Sequence, residues 1–331
     1  MGNRIHGVNL GGWLVLEKWL TPSVFAGTDA VDEYTFMRQK DAKQRITHHR
    51  KTFITEKDFD WMARSGVTIV RIPVGYWLFD AIDGFEPTVS YLDKAMKWAE
   101  RRNMHVLIDL HAVRGSQNGF DNSGRAGKAR WYANKGYHEQ AMRLLKRIAE
   151  RYCDSPALWG IEIMNEPVPG RHVMMLMKFY RDVYTLLDAI LLPNTKIVFH
   201  DAFRPLVYMW SFAGMTKRRQ LIMDVHWYGY GLKTNNLTNY LRRSAAARKM
   251  LLTVTQLRHP VIVGEWSSVL PQRFFDVRPA HEHYELLRQN IAMQRRIYEQ
   301  AAGWMYWNYK AEGSGMWNFR SLVEEGIITI C

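Results

Sequence analysis

The sequence predicts a (β/α)8 barrel of the α/β class, and two patterns support this. Short apolar segments rich in β-branched residues alternate with longer segments in which apolar residues return every three or four positions. Most of the short segments are nearly continuous apolar runs, as expected when helices cover one face of a strand and a packed barrel interior covers the other. Eight strand–helix units favour a closed parallel barrel over an open doubly wound sheet.

The elements follow one another along the whole chain. Strands are predicted at residues 5–9, 67–73, 105–110, 158–165, 196–200, 220–224, 260–265 and 303–307. Helical patterns include residues 90–102, 138–152, 172–191, 237–257 and 284–302. Residues 10–55 are too many for a simple βα connection, so they are predicted to cover the barrel or to form part of the site, and residues 270–280 form a second long loop. No linker or repeat divides the sequence, which predicts one domain over residues 1–331.

Composition excludes several classes of protein. With 47% hydrophobic and 23% charged residues the chain is neither disordered, collagen-like nor a coiled coil. It contains no apolar run of about eighteen residues, so no transmembrane segment is predicted. The net charge of +13 could attract nucleic acid, but the cations are scattered and their densest run is at residues 38–51. A solvated basic surface without a nucleic-acid partner is therefore the favoured interpretation.

The chain start bears on the cellular compartment. The first residues lead into a strand-like segment without the apolar stretch of a signal peptide. The sequence therefore predicts either a cytoplasmic protein or a secreted or periplasmic protein whose leader has been removed. A monomer is the favoured oligomeric state.

Polar and aromatic side chains follow almost every predicted strand. In a parallel barrel these strand ends meet at one mouth, where the active sites of this fold are built. Histidines at strand ends could suggest zinc, but no cysteine or close histidine pair completes a ligand set of the usual spacing, so neither a metal nor another cofactor is predicted. The side chains at the mouth include Arg71, His111, Asn165, Glu166, His226, Tyr228, Glu265 and Trp307.

Two carboxylates, Glu166 and Glu265, end strands four and seven, on opposite sides of the predicted mouth. Glycoside hydrolysis needs such a pair, because one carboxylic acid protonates the leaving oxygen while the other, ionised, attacks or directs water at the anomeric carbon. A lone glutamate at a strand end is more often a surface residue or a cap; a pair ringed by Arg, His, Asn, Tyr and Trp favours catalysis. Glu162 has the strand parity of Glu166 and is predicted to point into the barrel, paired with a buried basic group.

Eight segments carry a family resemblance. They are GVNLGGWLVLE at residues 7–17, RIPVGYW at 71–77, IDLH at 108–111, GSQNGFDNSG at 115–124, GIEIMNEP at 160–167, HDAF at 200–203, GEWS at 264–267 and GWMYWNYK at 303–310. With these segments, in this order, the chain resembles glycoside hydrolase family 5, and most closely its exo-β-1,3-glucanase branch. The resemblance covers essentially the whole sequence.

The resemblance implies a retaining double displacement. Glu166 would be the acid/base and Glu265 the nucleophile, with the Arg71 guanidinium beside Glu265 to keep it ionised. Glu265 would in turn raise the pKa of Glu166, so that Glu166 begins protonated. Asn165 would bond the 2-hydroxyl of the sugar.

The resemblance also implies sugar-binding residues. His111, His226 and Tyr228 would line the innermost sugar site, with Tyr228 touching the nucleophile, and Trp307 would stack under that sugar. Glu17 would hold the hydroxyls of a terminal sugar.

Phe120 matches one of two aromatic rings that grip the next sugar out. The place of the second ring falls near Tyr230, where the sequence departs from the family pattern.

Several substrates are compatible with this chemistry. The favoured one is β-1,3-glucan or its oligosaccharides, with exo-acting release of glucose. An endo-β-1,4-glucanase and a glycosidase for β-glucosides with an apolar aglycone keep the same chemistry, and an inactive carbohydrate-binding barrel is the alternative that is not an enzyme. Exo action predicts a pocket closed at one end by residues 10–55 and 270–280; endo action predicts an open groove.

Overall fold

Eight parallel strands close into a barrel in the computed structural model, which describes residues 5–215, 220–229, 233–313 and 315–330. Each strand pairs with its neighbours in sequence, and the last pairs with the first. The strands are β1 (Ile5–Asn9), β2 (Ile69–Gly75), β3 (His105–Ala112), β4 (Leu158–Glu162), β5 (Lys196–His200), β6 (Leu221–Trp227), β7 (Val261–Trp266) and β8 (Gly303–Tyr306). The predicted (β/α)8 barrel is confirmed, although β4 ends earlier and β6 ends later than predicted.

Helices surround the barrel and fill its loops. The long helical patterns all form helices, and short helices occupy the connections. The helices are α1 (Glu33–Phe36), α2 (Ala42–Thr52), α3 (Glu56–Arg64), α4 (Val89–Glu100), α5 (Lys135–Tyr152), α6 (Val173–Asp188), α7 (Pro205–Tyr208), α8 (Leu237–Gln256), α9 (Arg273–Asp276), α10 (His283–Tyr298) and α11 (Phe319–Glu324). Among the described residues, none of the helices has both the length and the apolar character needed to cross a bilayer.

The barrel interior is layered by strand parity. An apolar layer comes from alternate strand positions and includes Ile5, Ile69, Leu107, Val198, Ile222, Ile262 and Met305. Two positions further along the strands, the side chains become charged: Arg71, Asp109, Glu162 and Asp224 are all fully buried. A further step of two on β3 and β6 reaches His111 and His226. Because side chains alternate faces along a strand, the period of two leads from the apolar core to the mouth of the barrel.

Residues 10–55 form a separate layer beside the mouth. Some of their apolar side chains, including Leu16, Phe25, Phe36 and Ile46, pack into a small cluster of their own, while Trp13, Leu14 and Ile54 join the main core. A fully buried ion pair, Arg50 Nη2 to Glu33 Oε1 at 2.7 Å, ties this layer together. The segment thus folds over one side of the barrel, within the range of roles predicted from its length.

Candidate active site

Glu166 lies in the turn that follows β4. Its backbone φ is +41°, in the left-handed region that non-glycine residues rarely adopt. Hydrogen bonds on both sides hold the turn: Asn165 N donates to Leu110 O at 3.0 Å and Val168 N to Gln117 O at 3.0 Å. Such backbone strain persists where the surroundings fix it, and it is typical of functional sites.

Glu265 is turned into the mouth by an irregularity in β7. His226 pairs with Glu265 although Val225 pairs with Val263, so Gly264 is skipped in the register between β6 and β7. A Cβ atom at Gly264 would lie 1.9 Å from Asp224 Oδ2, and the Gly264 N–H donates to Asp224 Oδ1 at 2.6 Å. Only glycine fits this close approach, and the bulge re-aims the next side chain.

Arg71 is the hub beneath the glutamates. It is fully buried, and it donates from Nη1 to Glu265 Oε1 at 2.8 Å and from Nη2 to Asn165 Oδ1 at 2.8 Å. Its Nε donates to Glu162 Oε2 at 2.7 Å, which confirms the predicted pairing of Glu162 with a buried base. Its Nη2 also lies 3.1 Å from Asp109 Oδ2. One planar guanidinium thus contacts four side chains, from β3, from β4 and the turn after it, and from β7.

His226 lies between the two glutamates. Its Nδ1 is 2.9 Å from Glu166 Oε1 and 3.4 Å from Glu265 Oε2. Those two oxygens are therefore no further apart than the sum of the two distances, about 6.3 Å, compared with a carboxyl separation of about 5–5.5 Å in retaining and about 6.5–9.5 Å in inverting glycosidases. Tyr228 donates its hydroxyl to Glu265 Oε2 at 2.7 Å, so the expected contact of Tyr228 with Glu265 is present.

The charges of this cluster differ from the sequence-based expectation. Burial alone would lower the pKa of His226, but the carboxylates of Glu265 and Asp224 outweigh it and raise that pKa well above its usual value. Burial would raise the pKa of Glu166, but the hydrogen bond and positive charge of His226 lower it. Burial raises the pKa of Glu265, although His226 and Arg71 oppose this. The expected order, with Glu166 raised and Glu265 held low, is wrong for the substrate-free site because the imidazolium lies closer to Glu166.

Two carboxyls in the charged layer below also retain protons more readily than usual. Burial raises the pKa of Asp109 to about 7 and that of Glu162 to about 8, although Arg71 opposes both shifts. The single guanidinium faces several carboxyls, and partial protonation limits their mutual repulsion.

Trp307, which follows β8, packs against His111 of β3, and the expected contacts of both with a sugar stay predictions. The Trp307 ring stacks on His111 with centroids 5.7 Å apart and planes at 8°. A Cβ atom at Gly11 would lie 2.7 Å from this indole, so glycine is required there. His111 donates from Nδ1 to Asp109 Oδ2 at 2.6 Å, and burial lowers its pKa to about 3. The neutral ring then leaves Nε2 to accept from Asn165 Nδ2 at 3.4 Å.

An aromatic wall stands at one end of the site. It consists of Trp19, Trp317 and Tyr228: the Trp317 ring lies 5.1 Å from that of Trp19 and 5.5 Å from that of Tyr228. Trp19 Nε1 donates to Oε2 of the buried Glu17 at 3.0 Å. Burial and the nearby carboxylates Asp121 and Glu265 raise the pKa of Glu17 well above its usual value. Neither Trp19 nor Trp317 was predicted from the sequence, although both lie in segments rich in tryptophan.

The wall is joined to the barrel by two loops. Gly11 N donates to Asn308 Oδ1 at 2.8 Å, and Asn308 Nδ2 donates to Gly11 O at 2.9 Å. Further along the same loops, Glu312 N donates to Leu20 O at 2.9 Å. The loops after β1 and β8 therefore close this end together. The expected second loop, residues 270–280, is not among these contacts.

The loop after β3 supplies residues at the other side of Glu166. Phe120 is 48% exposed at the surface of this loop, as a residue that grips an outer sugar must be. Asn122, which the sequence analysis did not single out, donates from Nδ2 to Glu166 Oε2 at 3.1 Å. Its only sequence signal was its place in the matching segment 115–124. Tyr230, the expected site of the second ring, lies outside the described residues.

Among the described residues, two groups of side chains have the composition of metal ligands. They are Glu166 with His200 and His226, and Glu162 with Asp224 and His226, each with ligand atoms within 4.8 Å of one another. His200 Nδ1 accepts the Ala202 N–H at 2.9 Å, so its other nitrogen carries the proton and is no ligand in this tautomer. Glu162 is already bound by Arg71. The absence of a metal remains a prediction.

The barrel and its paired glutamates define a glycoside hydrolase. A family model described as cellulase, glycosyl hydrolase family 5, matches residues 38–313, and the chain belongs to this family. It is 34% identical over 370 residues to probable glucan 1,3-beta-glucosidase A of Emericella nidulans, covering 99% of this chain and 90% of that protein. It is 31% identical to glucan 1,3-beta-glucosidase of Blumeria graminis, covering 98% and 86%. Among solved structures it is similar to AoRut, with a TM-score of 0.83, 25% identity and coverage of 99% and 98%.

Proposed function

We propose that this protein is a retaining, exo-acting β-glucosidic hydrolase that releases glucose from β-1,3-glucan or its oligosaccharides. The observation that carries the proposal is the placement of Glu166 and Glu265 around one nitrogen of His226, at 2.9 and 3.4 Å. In this proposal residues 1–331 form one catalytic domain.

Glu265 is the proposed nucleophile. One of its oxygens attacks the anomeric carbon as the bond from that carbon to the leaving oxygen breaks, and the leaving oxygen takes a proton from Glu166. Water then attacks the glucosyl ester, gives its proton to Glu166 and releases Glu265. Arg71 and Tyr228 donate hydrogen bonds to separate oxygens of Glu265, and such bonds favour the ionised nucleophile.

In this proposal Glu166 and His226 share the proton that the leaving oxygen takes. Because the pKa of His226 is raised and that of Glu166 lowered, the proton of the substrate-free site resides on His226 Nδ1, directed at Glu166. In the first step His226 gives this proton to Glu166 across their 2.9 Å contact as Glu166 protonates the leaving oxygen, and the proton that Glu166 later takes from water returns to His226. His226 thus holds the proton that the acid/base needs.

The aromatic wall supports exo action. A chain end, not an internal unit, fits a site that is closed at one end by Trp19, Trp317 and Tyr228. Glu17 is held at this wall, where it can hydrogen-bond the hydroxyls of the terminal glucose. The names of the two fungal relatives, glucan 1,3-beta-glucosidases, support the β-1,3 linkage.

A second candidate is a glycosidase for β-glucosides with an apolar leaving group. The segment after β5 exposes Phe203, Leu206, Val207 and Trp210, each between 40% and 49% accessible. Phe203 packs edge-on against His200, which packs in the same way against His226. Two ring contacts therefore connect this apolar strip to His226, which lies beside Glu166. Exposed apolar patches of this kind often bind apolar groups.

Product analysis tests the proposal. Wild-type protein given laminarin should release glucose from the first time point, and proton NMR should detect the β-anomer first, as retention requires. Glu265→Ala should lose at least about a thousandfold in kcat, while Glu299→Ala, at the opposite end of the barrel, should retain activity. Long oligosaccharides at early times would contradict exo action. A higher kcat/KM for octyl β-glucoside than for laminaribiose would favour the second candidate.

A further inference from the structure

A basic cleft adjoins the loop that carries Phe120 and Asn122. It consists of two cavities, of about 360 and 260 Å³, that share Asp83, Arg114, Arg125 and Tyr137 in their linings. The cationic side chains of the cleft are Arg38, Arg114, Arg125, Lys128 and Arg130. Asp83 is the one acidic residue in either described lining.

Asp83 already forms an ion pair with one cation of the cleft, Arg114. Arg114 binds it with both arms of the guanidinium, Nε to Oδ2 at 2.9 Å and Nη2 to Oδ1 at 2.7 Å. The Tyr76 hydroxyl donates to the same carboxylate at 3.0 Å. This ion pair is neutral as a unit, so it offsets none of the other cations.

Among the described residues, the remaining cations have no acidic partner. Within the described part of the chain, no carboxylate lies within 4.0 Å of the charged nitrogens of Arg38, Arg125, Lys128 or Arg130. Arg38 and Arg125 both lie over the ring of Tyr34, with their Cζ atoms 3.3 and 4.0 Å from its centroid. Both distances are too short for the two groups to share one face, so the Tyr34 ring lies between two guanidinium groups whose Cζ atoms are at most about 7.3 Å apart. An anion beside them would reduce their mutual repulsion.

The chemistry of the cleft fits an oxyanion. Guanidinium groups form paired hydrogen bonds with the oxygens of sulfate, phosphate or carboxylate. A charge run on a convex surface is usually just solvated, but here the cations line concave space large enough for such a group. Several cations around one anion gain more than separate surface pairs do, because solvent is partly excluded.

We propose that the basic cleft binds an oxyanion substituent, sulfate, phosphate or carboxylate, on a carbohydrate chain whose neutral part occupies the catalytic site. The carbohydrate part of this inference rests on the proposed function. The link is the loop 114–130: Asn122 contacts Glu166, and three to eight residues further on Arg125, Lys128 and Arg130 line the cleft. A charged glycan lying across this loop meets both surfaces.

The experiment uses calorimetry to measure the affinity of the full chain for laminarin and for sulfated laminarin of the same length. Glu265→Gln, which blocks turnover, provides the background. Sulfated laminarin should bind at least about tenfold more tightly than laminarin. When Arg125→Gln and Lys128→Gln are added to this background, the affinity for sulfated laminarin should fall about tenfold. The matched control, Arg242→Gln with Arg243→Gln on exposed positions of α8, loses the same charge and should change it less than twofold. Equal losses in the two double variants, or no loss in either, would overturn the cleft as the site.

Two further arms separate the alternatives. Sodium sulfate should displace sulfated laminarin better than sodium chloride at equal ionic strength; equal displacement would show screening alone and refute the site. If the cleft bound inorganic sulfate but showed no preference for sulfated laminarin over laminarin, the carbohydrate part of the proposal would be refuted. If duplex DNA bound more tightly than sulfated laminarin, the ligand would be nucleic acid and not a glycan. Hydrolysis of neutral laminaribiose by wild-type protein tests the proposed function separately, so either proposal can fail alone.

Discussion

The Nδ1 atom of His226 lies 2.9 Å from Oε1 of Glu166, and this contact lowers the pKa of Glu166 against the effect of burial. Two buried carboxylates and one imidazole share the available protons, so their titrations are linked. Asp224 Oδ2, at 3.5 Å from Nε2, adds negative charge on the far side of the ring. The imidazolium is therefore stabilised from both sides.

Removing this cation should shift the pH profile. His226→Gln deletes the positive charge that lowers the pKa of both Glu166 and Glu265, so both pKa values should rise. Since Glu265 must be ionised to attack, the acid limb of kcat/KM should move to higher pH by about 1–3 units. The measurement is kcat/KM for p-nitrophenyl β-glucoside from pH 3 to 10. His6→Gln, at the other end of the barrel, should leave both limbs in place; an unmoved acid limb in His226→Gln would refute the charge assigned to His226.

Most of the fold could be predicted from the sequence because apolar strands alternate with amphipathic helices, and each has its own period of apolar residues. The sequence did not predict the bulge at Gly264, since a skipped residue depends on the approach of Asp224 from the next strand. Nor did it predict the early end of β4 at Glu162 or the left-handed backbone of Glu166. The bulge and the left-handed backbone occur at the two glutamates of the mouth, and local patterns carry little information about either.

The site was predictable where strand ends define it. Arg71, Glu166 and Glu265 meet because parallel strands end at one mouth. The side-chain distances within that mouth were not predictable, so the proximity of His226 to Glu166 and the resulting order of pKa values were missed. Asn122 and Trp317 come from loops, whose conformations have no periodic signal.

Arg71 should be essential for stability as well as for activity. Arg71→Met leaves Glu162, Asp109 and Glu265 without their buried cation, and breaking a buried pair in this way costs about 3–5 kcal/mol. Urea unfolding should show that loss in the free energy of unfolding. Arg101→Met removes a 59% exposed partner of Glu56 and should cost less than about 1 kcal/mol. Equal costs for the two variants would contradict the role of Arg71 as the hub.

Asn122 should act on the acid/base through its hydrogen bond. Asn122→Ala removes a donor that lowers the pKa of Glu166, so that pKa should rise and the basic limb of kcat/KM should move to higher pH. A hydrogen bond to a charged group contributes about 1.5–3 kcal/mol, so kcat should also fall about tenfold or more. Phe120→Ala, on the same loop, should instead raise KM for oligosaccharides without moving either limb. If Asn122→Ala altered KM alone, Asn122 would be a binding residue and not one that positions Glu166.

Glu17 should function as a neutral carboxylic acid. Burial, together with the carboxylates of Asp121 and Glu265, raises its pKa well above the usual value, so it keeps its proton as the pH rises past that of ordinary glutamates. Glu17→Gln, which is neutral and of similar shape, should therefore retain kcat/KM for laminaribiose within a few-fold. Glu17→Ala should lose about tenfold to a hundredfold, the equivalent of one or two hydrogen bonds to the terminal glucose. Steady-state kinetics on laminaribiose at pH 5 and 7 separates the cases: losses in Glu17→Gln as large as those in Glu17→Ala would mean that the ionised carboxylate is the form that binds sugar.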